Sequence, residues 1–209
     1  MNPMKFLHRL SPFALAALLA TGCHDSTSGA KKSVFIDIHE FGPGKVTAAA
    51  VAEAHRADLA IEGKRDVHFV DYWVDEEHGN VYCLSEARDA HAVVETHREA
   101  HGLLPTRVLP VASGQVATTA ATGGKILFLD FHDLGPGKVT AKAVAEAHQK
   151  DLQTEGQYGV HFLNYWVDET SGTVICLSEA PNPEAIRETH RHAHGLMPDK
   201  VVQVTAAPK

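Results

Sequence analysis

The chain has 209 residues, 44% of them hydrophobic and 22% charged, a globular composition long enough for one large domain or two small ones. The formal net charge of −7 leaves no basic stripe for a nucleic-acid partner, so none is expected. Histidine is in excess, 15 residues against 4 Tyr and 2 Trp, and neutral imidazole is the commonest side-chain ligand for transition metals.

Residues 1–22 read as a signal peptide. Lys5 and Arg9 form a short basic start, "SPFALAALLAT" is an apolar run too short to span a bilayer, and "LATGC" places small residues just before Cys23. The "LATGC" segment resembles a bacterial lipobox, which implies lipidation of Cys23 and a mature chain that begins there. Residues 23–32 are mostly small and polar and read as a tether. The expectation is a lipid-anchored protein of the cell envelope, facing the periplasm or the exterior.

Beyond the tether the sequence repeats itself. "DIHEFGPGKVTAAAVAEAH" from Asp37 returns as "DFHDLGPGKVTAKAVAEAH" from Asp130, an offset of 93 residues. The same offset carries Tyr72 of "YWVDE" onto Tyr165, Cys83 of "CLSEA" onto Cys176 and Glu95 of "ETH" onto Glu188. The repeats span 33–111 and 125–205, and the small, Gly-containing stretch 112–124 between them reads as a linker.

In the first repeat "SVFIDIH" predicts a strand, "FGPGK" a turn, and Thr47 caps a helix that runs to about Glu62 before Gly63. "VHFVDYWV" and "VYCLSEA" are strands joined by a hairpin turn at "EEHGN". A second helix starts after Asp89, or at "PNP" in the second copy, and stops at Gly102; "RVLPV" is a weak last strand. The order βαββαβ predicts an α+β fold of two tandem ferredoxin-like units forming an intramolecular pseudo-dimer. The first and third strands are expected to be parallel neighbours, with both helices on one face. Alternation separates Val34, Ile36 and Ile38 from Phe35, Asp37 and His39. The aliphatic side is expected to face the helices, and the polar side the other repeat.

Three groups of residues could carry chemistry. His97 and His101, like His190 and His194, are spaced i, i+4, which puts two imidazoles on one helix face at chelating distance. The plainer alternative is a positive helix C-terminus meeting its own dipole. Arg98 and Arg191 stand where a zinc-protease motif needs its glutamate, so that motif is excluded. Asp37 with His39, and Asp130 with His132, share a strand face; Glu86 and Glu179 are expected at the same sheet edge, completing a hard-to-borderline donor set. The alternative is a hydrogen-bonded Asp–His pair buried between repeats. With the second helix expected at the opposite edge, strand and helix sets would combine only across repeats. His55 with Asp58 reads as a partly buried structural pair, and Cys83 and Cys176 as packing thiols, with a disulfide between copies the other possibility. "GPGK" is too short for a phosphate loop and lacks the Ser or Thr after its lysine.

The strand "D-x-H", "AEAH…DL", "YWVDE", "CLSEA" and "THR-x-AHGL" together resemble a small bacterial family of ferredoxin-like proteins described as nickel-binding, usually single units that dimerise. The resemblance covers nearly all of both repeats. It implies a binding protein for Ni²⁺ or a similar divalent ion such as Cu²⁺ or Zn²⁺, used for sequestration or buffering, with no established catalysis. The expected partners are therefore a divalent metal ion and, through the anchor, a membrane; further oligomerisation stays open. The alternative is a small-molecule enzyme of monooxygenase or isomerase type, working at Asp37, His39 and Glu86. An apolar pocket around His39 would favour that alternative.

Overall fold

The structure is a computed structural model that describes residues 31–115 and 126–207, so the expected signal peptide, Cys23 and most of the tether lie outside the described residues. The first half runs β1 (Ser33–Glu40), α1 (Ala48–Ile61), β2 (His68–Asp75), β3 (Asn80–Ala87), α2 (Ala90–Ala100) and β4 (Arg107–Gln115). The second runs β5 (Ile126–Asp133), α3 (Ala141–Tyr158), β6 (His161–Asp168), β7 (Thr173–Ala180), α4 (Pro183–Ala193) and β8 (Lys200–Ala206).

Local chemistry explains the helix starts. Thr47 Oγ1 accepts from the Ala50 N–H at 3.2 Å and Asp89 Oδ1 from the Ala92 N–H at 2.8 Å, each satisfying a donor that the first turn leaves unpaired. Thr140 and Asn182 do the same for α3 and α4, with Pro183 in the first helical turn where its missing N–H costs nothing.

The sheet corrects the fold expectation. The two halves are not ferredoxin-like units packed as a pseudo-dimer: their eight strands form one closed antiparallel barrel in the order β1-β3-β2-β8-β5-β7-β6-β4. Taken alone, each half would be a four-stranded sheet with unpaired edges at its second and fourth strands. Those edges join across the molecule, β4 with β6 through Ala112↔Val167 to Gln115↔Asn164, and β2 with β8 through Trp73↔Ala206 and Val74↔Thr205. Closure leaves no edge exposed to pair with another chain. Residues 112–115, which composition assigns to the linker, are the end of β4 and supply one of these seams.

The faces are also reversed from the expectation. Ile36 and Ile38 point into the barrel with Trp73, Tyr82 and Leu84 and, from the other half, Leu129, Phe131 and Trp166. The Trp73 and Trp166 rings meet there at 5.2 Å. Phe35, Asp37 and His39 point outward, under the helices: Phe35 packs with Phe69, Ala92 and Val93. Strand alternation separates two faces but does not say which is inside, and here both are buried.

Candidate metal centre

Each half places an acid–imidazole chain between strand and helix. In the first, β1 supplies Asp37 and His39, α1 supplies Asp58, and the end of α2 supplies His97 and His101. Asp37, Asp58 and His97 are 2% exposed or less, and His39 is 4%. His39 Nε2 lies 3.0 Å from Asp37 Oδ1, and His97 Nε2 lies 3.3 Å from the same oxygen. On its other side His97 Nδ1 donates to Asp58 Oδ1 at 2.9 Å, and His101 Nε2 donates to the same carboxylate at 3.2 Å. The second half repeats this with Asp130, His132, His190, Asp151 and His194: 3.2 and 3.3 Å to Asp130 Oδ1, and 3.0 Å from His190 Nδ1 to Asp151 Oδ1.

The strand and helix sets therefore meet within one half, against the expectation that they combine only across repeats. The cause is the direction of pairing. β1 and β3 are antiparallel, with Asp37 opposite Cys83 and His39 opposite Val81. The polar side of β1 faces α2 rather than the other repeat, so His97 lands on it. The same pairing removes the glutamates from the cluster. Glu86 is opposite Val34 at the far end and exposed; Glu179, opposite Leu127, is buried but belongs to no donor group among the described residues.

The helix pair meets Asp58 to form a second group that could hold an ion, as His190, His194 and Asp151 do in the other half; without an ion the histidines are hydrogen-bonded to that aspartate. Asp58 only accepts, so His97 Nδ1 and His101 Nε2 must both carry hydrogen toward it. The Leu103 N–H donates to His101 Nδ1 at 3.1 Å, which fixes His101 with its Nε2 protonated. A metal on Nε2 would need Nδ1 to donate instead, and that nitrogen faces a donor. Leu196 and His194 repeat the arrangement at 3.1 Å. His97 has the opposite polarity: Asp58 takes its Nδ1 hydrogen and leaves Nε2 turned toward Asp37 and His39.

That end of the cluster holds unpaired atoms. Asp37 Oδ2, His39 Nδ1 and His97 Nε2 are buried without a hydrogen-bond partner, as are both Asp130 oxygens and His190 Nε2. The His97 and His190 contacts at 3.3 Å lie off the line of an N–H bond, so they are ion-pair contacts only. Each unmet buried polar atom costs about 1–3 kcal/mol. Ligand atoms of Asp130, His132 and His190 lie within 4.8 Å of one another, as do those of Asp37, His39 and Cys83 and those of Asp58, His97 and His101. Imidazole and carboxylate donors suit nickel, zinc and copper, so the residues present fit a divalent transition ion.

Charge follows the same geometry. Burial disfavours an imidazolium at His97, but its close contacts with the charged Asp37 and Asp58 carboxylates outweigh that and lift its pKa to about 9. Burial is likewise outweighed at His190, where Asp130 and Asp151 lift the pKa to about 10. Burial alone would raise the aspartates, yet their histidine partners hold Asp37, Asp58 and Asp151 below the usual carboxylate range and Asp130 down to about 2. Cys83 touches the cluster as a free thiol whose pKa burial, and then the Asp37 charge, push well up; it is a neutral S–H here. Cys176 is free as well.

A cavity of about 210 Å³ opens beside the first cluster, lined by His39, His97 and Asp58 at one end and by Val46, Val51 and Ala54 along its walls. Its counterpart beside His132 and His190 measures about 120 Å³. This is an apolar pocket around His39 of the kind expected for the small-molecule enzyme alternative.

Asp58, expected only as a structural partner of His55, and its counterpart Asp151 are the cluster residues absent from the expected donor groups. Asp58 stands seven residues after Val51, on the half-buried side of α1, and an acid turned toward the sheet there needs a buried partner. That spacing was the available signal. Of the other repeated histidines, His55 and His148 pack on Tyr72 and Tyr165 at 4.6 Å, His148 also lies 3.6 Å from Asp151, and His68 lies 3.7 Å from Glu62 on the surface. His192 faces away from the cluster and meets the Tyr158 hydroxyl at 2.6 Å.

Comparison with known proteins agrees with the repeat. The sequence model of a family described as nickel responsive protein SCO4226-like matches residues 35–111 and again 128–204. The crystal structure of SCO4226 from Streptomyces coelicolor A3(2) is 40% identical over 36% of this chain and 90% of its own, with a TM-score of 0.34. A mutant chlorite dismutase from Candidatus Nitrospira defluvii in complex with cyanide is 13% identical over 87% of this chain and 92% of its own, with a TM-score of 0.51, a likeness of fold alone. No curated protein matches the chain.

Proposed function

Because the chain belongs to the SCO4226-like family of nickel-responsive proteins, we propose that each half binds a divalent transition-metal ion, nickel first, between its first strand and its second helix. Asp37, His39 and His97 would hold the ion in the first half, and Asp130, His132 and His190 in the second. The observation that carries this reading is the set of buried atoms without a hydrogen-bond partner on Asp37, His39, His97, Asp130 and His190. The choice of nickel over copper or zinc comes from the family, since raw affinity would favour copper.

The protein's own contribution is orientation and proton handling. Asp58 and Asp151 hold His97 and His190 with Nε2 turned inward, an outer-shell role that typically accounts for a 10–100-fold effect on metal affinity. In this reading His101 and His194 donate hydrogen bonds to those same aspartates and are not ligands. Calorimetric titration of Ni²⁺ into protein lacking its first 30 residues tests this. We expect two ions per chain, one lost in a His39→Ala, His97→Ala variant, and an affinity about 10–100-fold weaker in the first half of Asp58→Asn. Two ions still bound by the double variant would refute the assignment.

We propose further that the protein acts as a lipid-anchored buffer or sequestering protein in the cell envelope. The support is the "LATGC" segment ending at Cys23 and the polar tether after it. A Cys23→Ser variant should move from the membrane fraction to the soluble fraction, and unchanged fractionation argues against the anchor.

A further inference from the structure

The two halves carry nearly the same cavity walls at different volumes. Thirteen of the fourteen lining positions are occupied by the same residue types; the exception is Phe41 against Leu134. The difference in size follows the helix above each site. Val144 and His148 on α3 are buried, at 8% and 3% exposure, while Val51 and His55 on α1 remain half-buried. Helix α3 sits down on its sheet and α1 stands off, leaving about 210 Å³ in the first half and about 120 Å³ in the second.

Volume decides what each could hold. An apolar cavity of about 150 Å³ accepts benzene. The first cavity exceeds that by room for a substituent, and the second falls short. The walls from Val46, Val51, Ala54 and Leu103 are apolar, whereas the inner end presents His39 and His97, each with a buried nitrogen that has no partner. At the mouth stands Lys45, exposed and with no acidic partner among the described residues, between the part-exposed Phe41 and Leu103. A storage site for a bare ion needs water and donors, not an apolar chamber leading to it. With three protein donors at most, an ion held by Asp37, His39 and His97 also has coordination positions left over, and this two-histidine, one-carboxylate set is of the kind that leaves room for a further ligand.

We propose that the first-half cavity binds a small organic acid of one-ring size, its apolar ring between α1 and the sheet and its carboxylate at the imidazole end. The inference rests on the metal reading for the acid end and on the cavity itself for the ring. Lys45 draws the anion to the mouth. The second half, with its smaller chamber, binds the ion alone, so the chain takes one acid for two ions.

Benzoate is the probe. In nickel-loaded protein, paramagnetic broadening of the benzoate ring protons should saturate at one equivalent per chain. Ala54→Phe, which fills the cavity, should abolish the broadening while the nickel stoichiometry measured on the same sample stays unchanged. Lys45→Glu, at an exposed position, should weaken benzoate several-fold without touching either metal site. Broadening that persists in Ala54→Phe, or that is absent from wild-type protein carrying two nickel ions, overturns the proposal. If the protein takes up no nickel, the metal reading fails separately. Saturation transfer from metal-free protein to benzoate then decides: a signal lost in Ala54→Phe upholds the cavity site, and no signal overturns it.

Discussion

At the scale of single residues, a proton and the proposed metal ion would compete for one place. His97 stands between Asp37 and Asp58, and His190 between Asp130 and Asp151, so each is held as an imidazolium until about pH 9 or 10. Their folded pKa values lie above the unfolded value of about 6.5, so their stabilisation is complete below that pH and lost as pH rises through 9 to 10. The aspartates are shifted the other way; their contribution is present above about pH 3.9 and lost as pH falls through their lowered values. Metal-free protein should therefore melt highest between about pH 4 and 6.5 and lose melting temperature toward pH 9. Nickel affinity should keep rising past pH 7 instead of levelling near 6.5, because the ion displaces a proton that the carboxylates hold. Thermal melts in chelator across a pH series, paired with nickel titrations, check both; flat melting between pH 6.5 and 9 would contradict the clamped imidazolium. These residues were named from their spacing, all but Asp58 and Asp151. An acid on α1 receives its meaning only when α2 packs beside it, since 39 residues separate Asp58 from His97.

At the scale of elements, local signals located most boundaries. Thr47, Asp89 and Asn182 cap their helices as their side chains dictate, and the hairpin turn between β2 and β3 falls at the glycine. Gly79 shows how tightly that hairpin is used. It has φ +71°, its N–H bonds to Asp75 O at 2.9 Å, and its own carbonyl accepts from Phe41 N at 2.9 Å. An added Cβ would collide with the Gly42 carbonyl oxygen, which is backbone and cannot swing aside. Gly79→Ala should therefore cost at least the 1–3 kcal/mol or so of a strained left-handed residue, read as a lower urea midpoint. The turn fixes where Phe41 stands at the cavity mouth, so the variant should also weaken benzoate. A midpoint equal to wild type would show that the loop can shift. Strand pairing was less legible. Sequence periodicity cannot distinguish parallel from antiparallel neighbours, and that one choice moved Glu86 away from Asp37 and put Cys83 beside it.

At the scale of the whole molecule, the barrel makes the halves interdependent. The interior mixes Ile36, Trp73 and Tyr82 with Phe131, Trp166 and Val204, so neither half owns a complete core. An isolated first half would expose that apolar face and two strand edges at once. Residues 31–115 expressed alone should associate into a dimer that rebuilds both seams, measured by sedimentation; a stable, folded monomer would show that closure is dispensable. The sequence by itself determined the duplication, the helix caps, the repeated aspartates and histidines and their likeness to a nickel-responsive family, because these depend on residue type and short-range spacing. Only the tertiary structure decided that the two sheets join at their edges, that the polar side of β1 turns outward beneath α2, and that Asp58 sets the direction of His97. Those are long-range choices between faces and edges, and alternation along a strand permits either one until packing buries one side inside the barrel and the other under the helices.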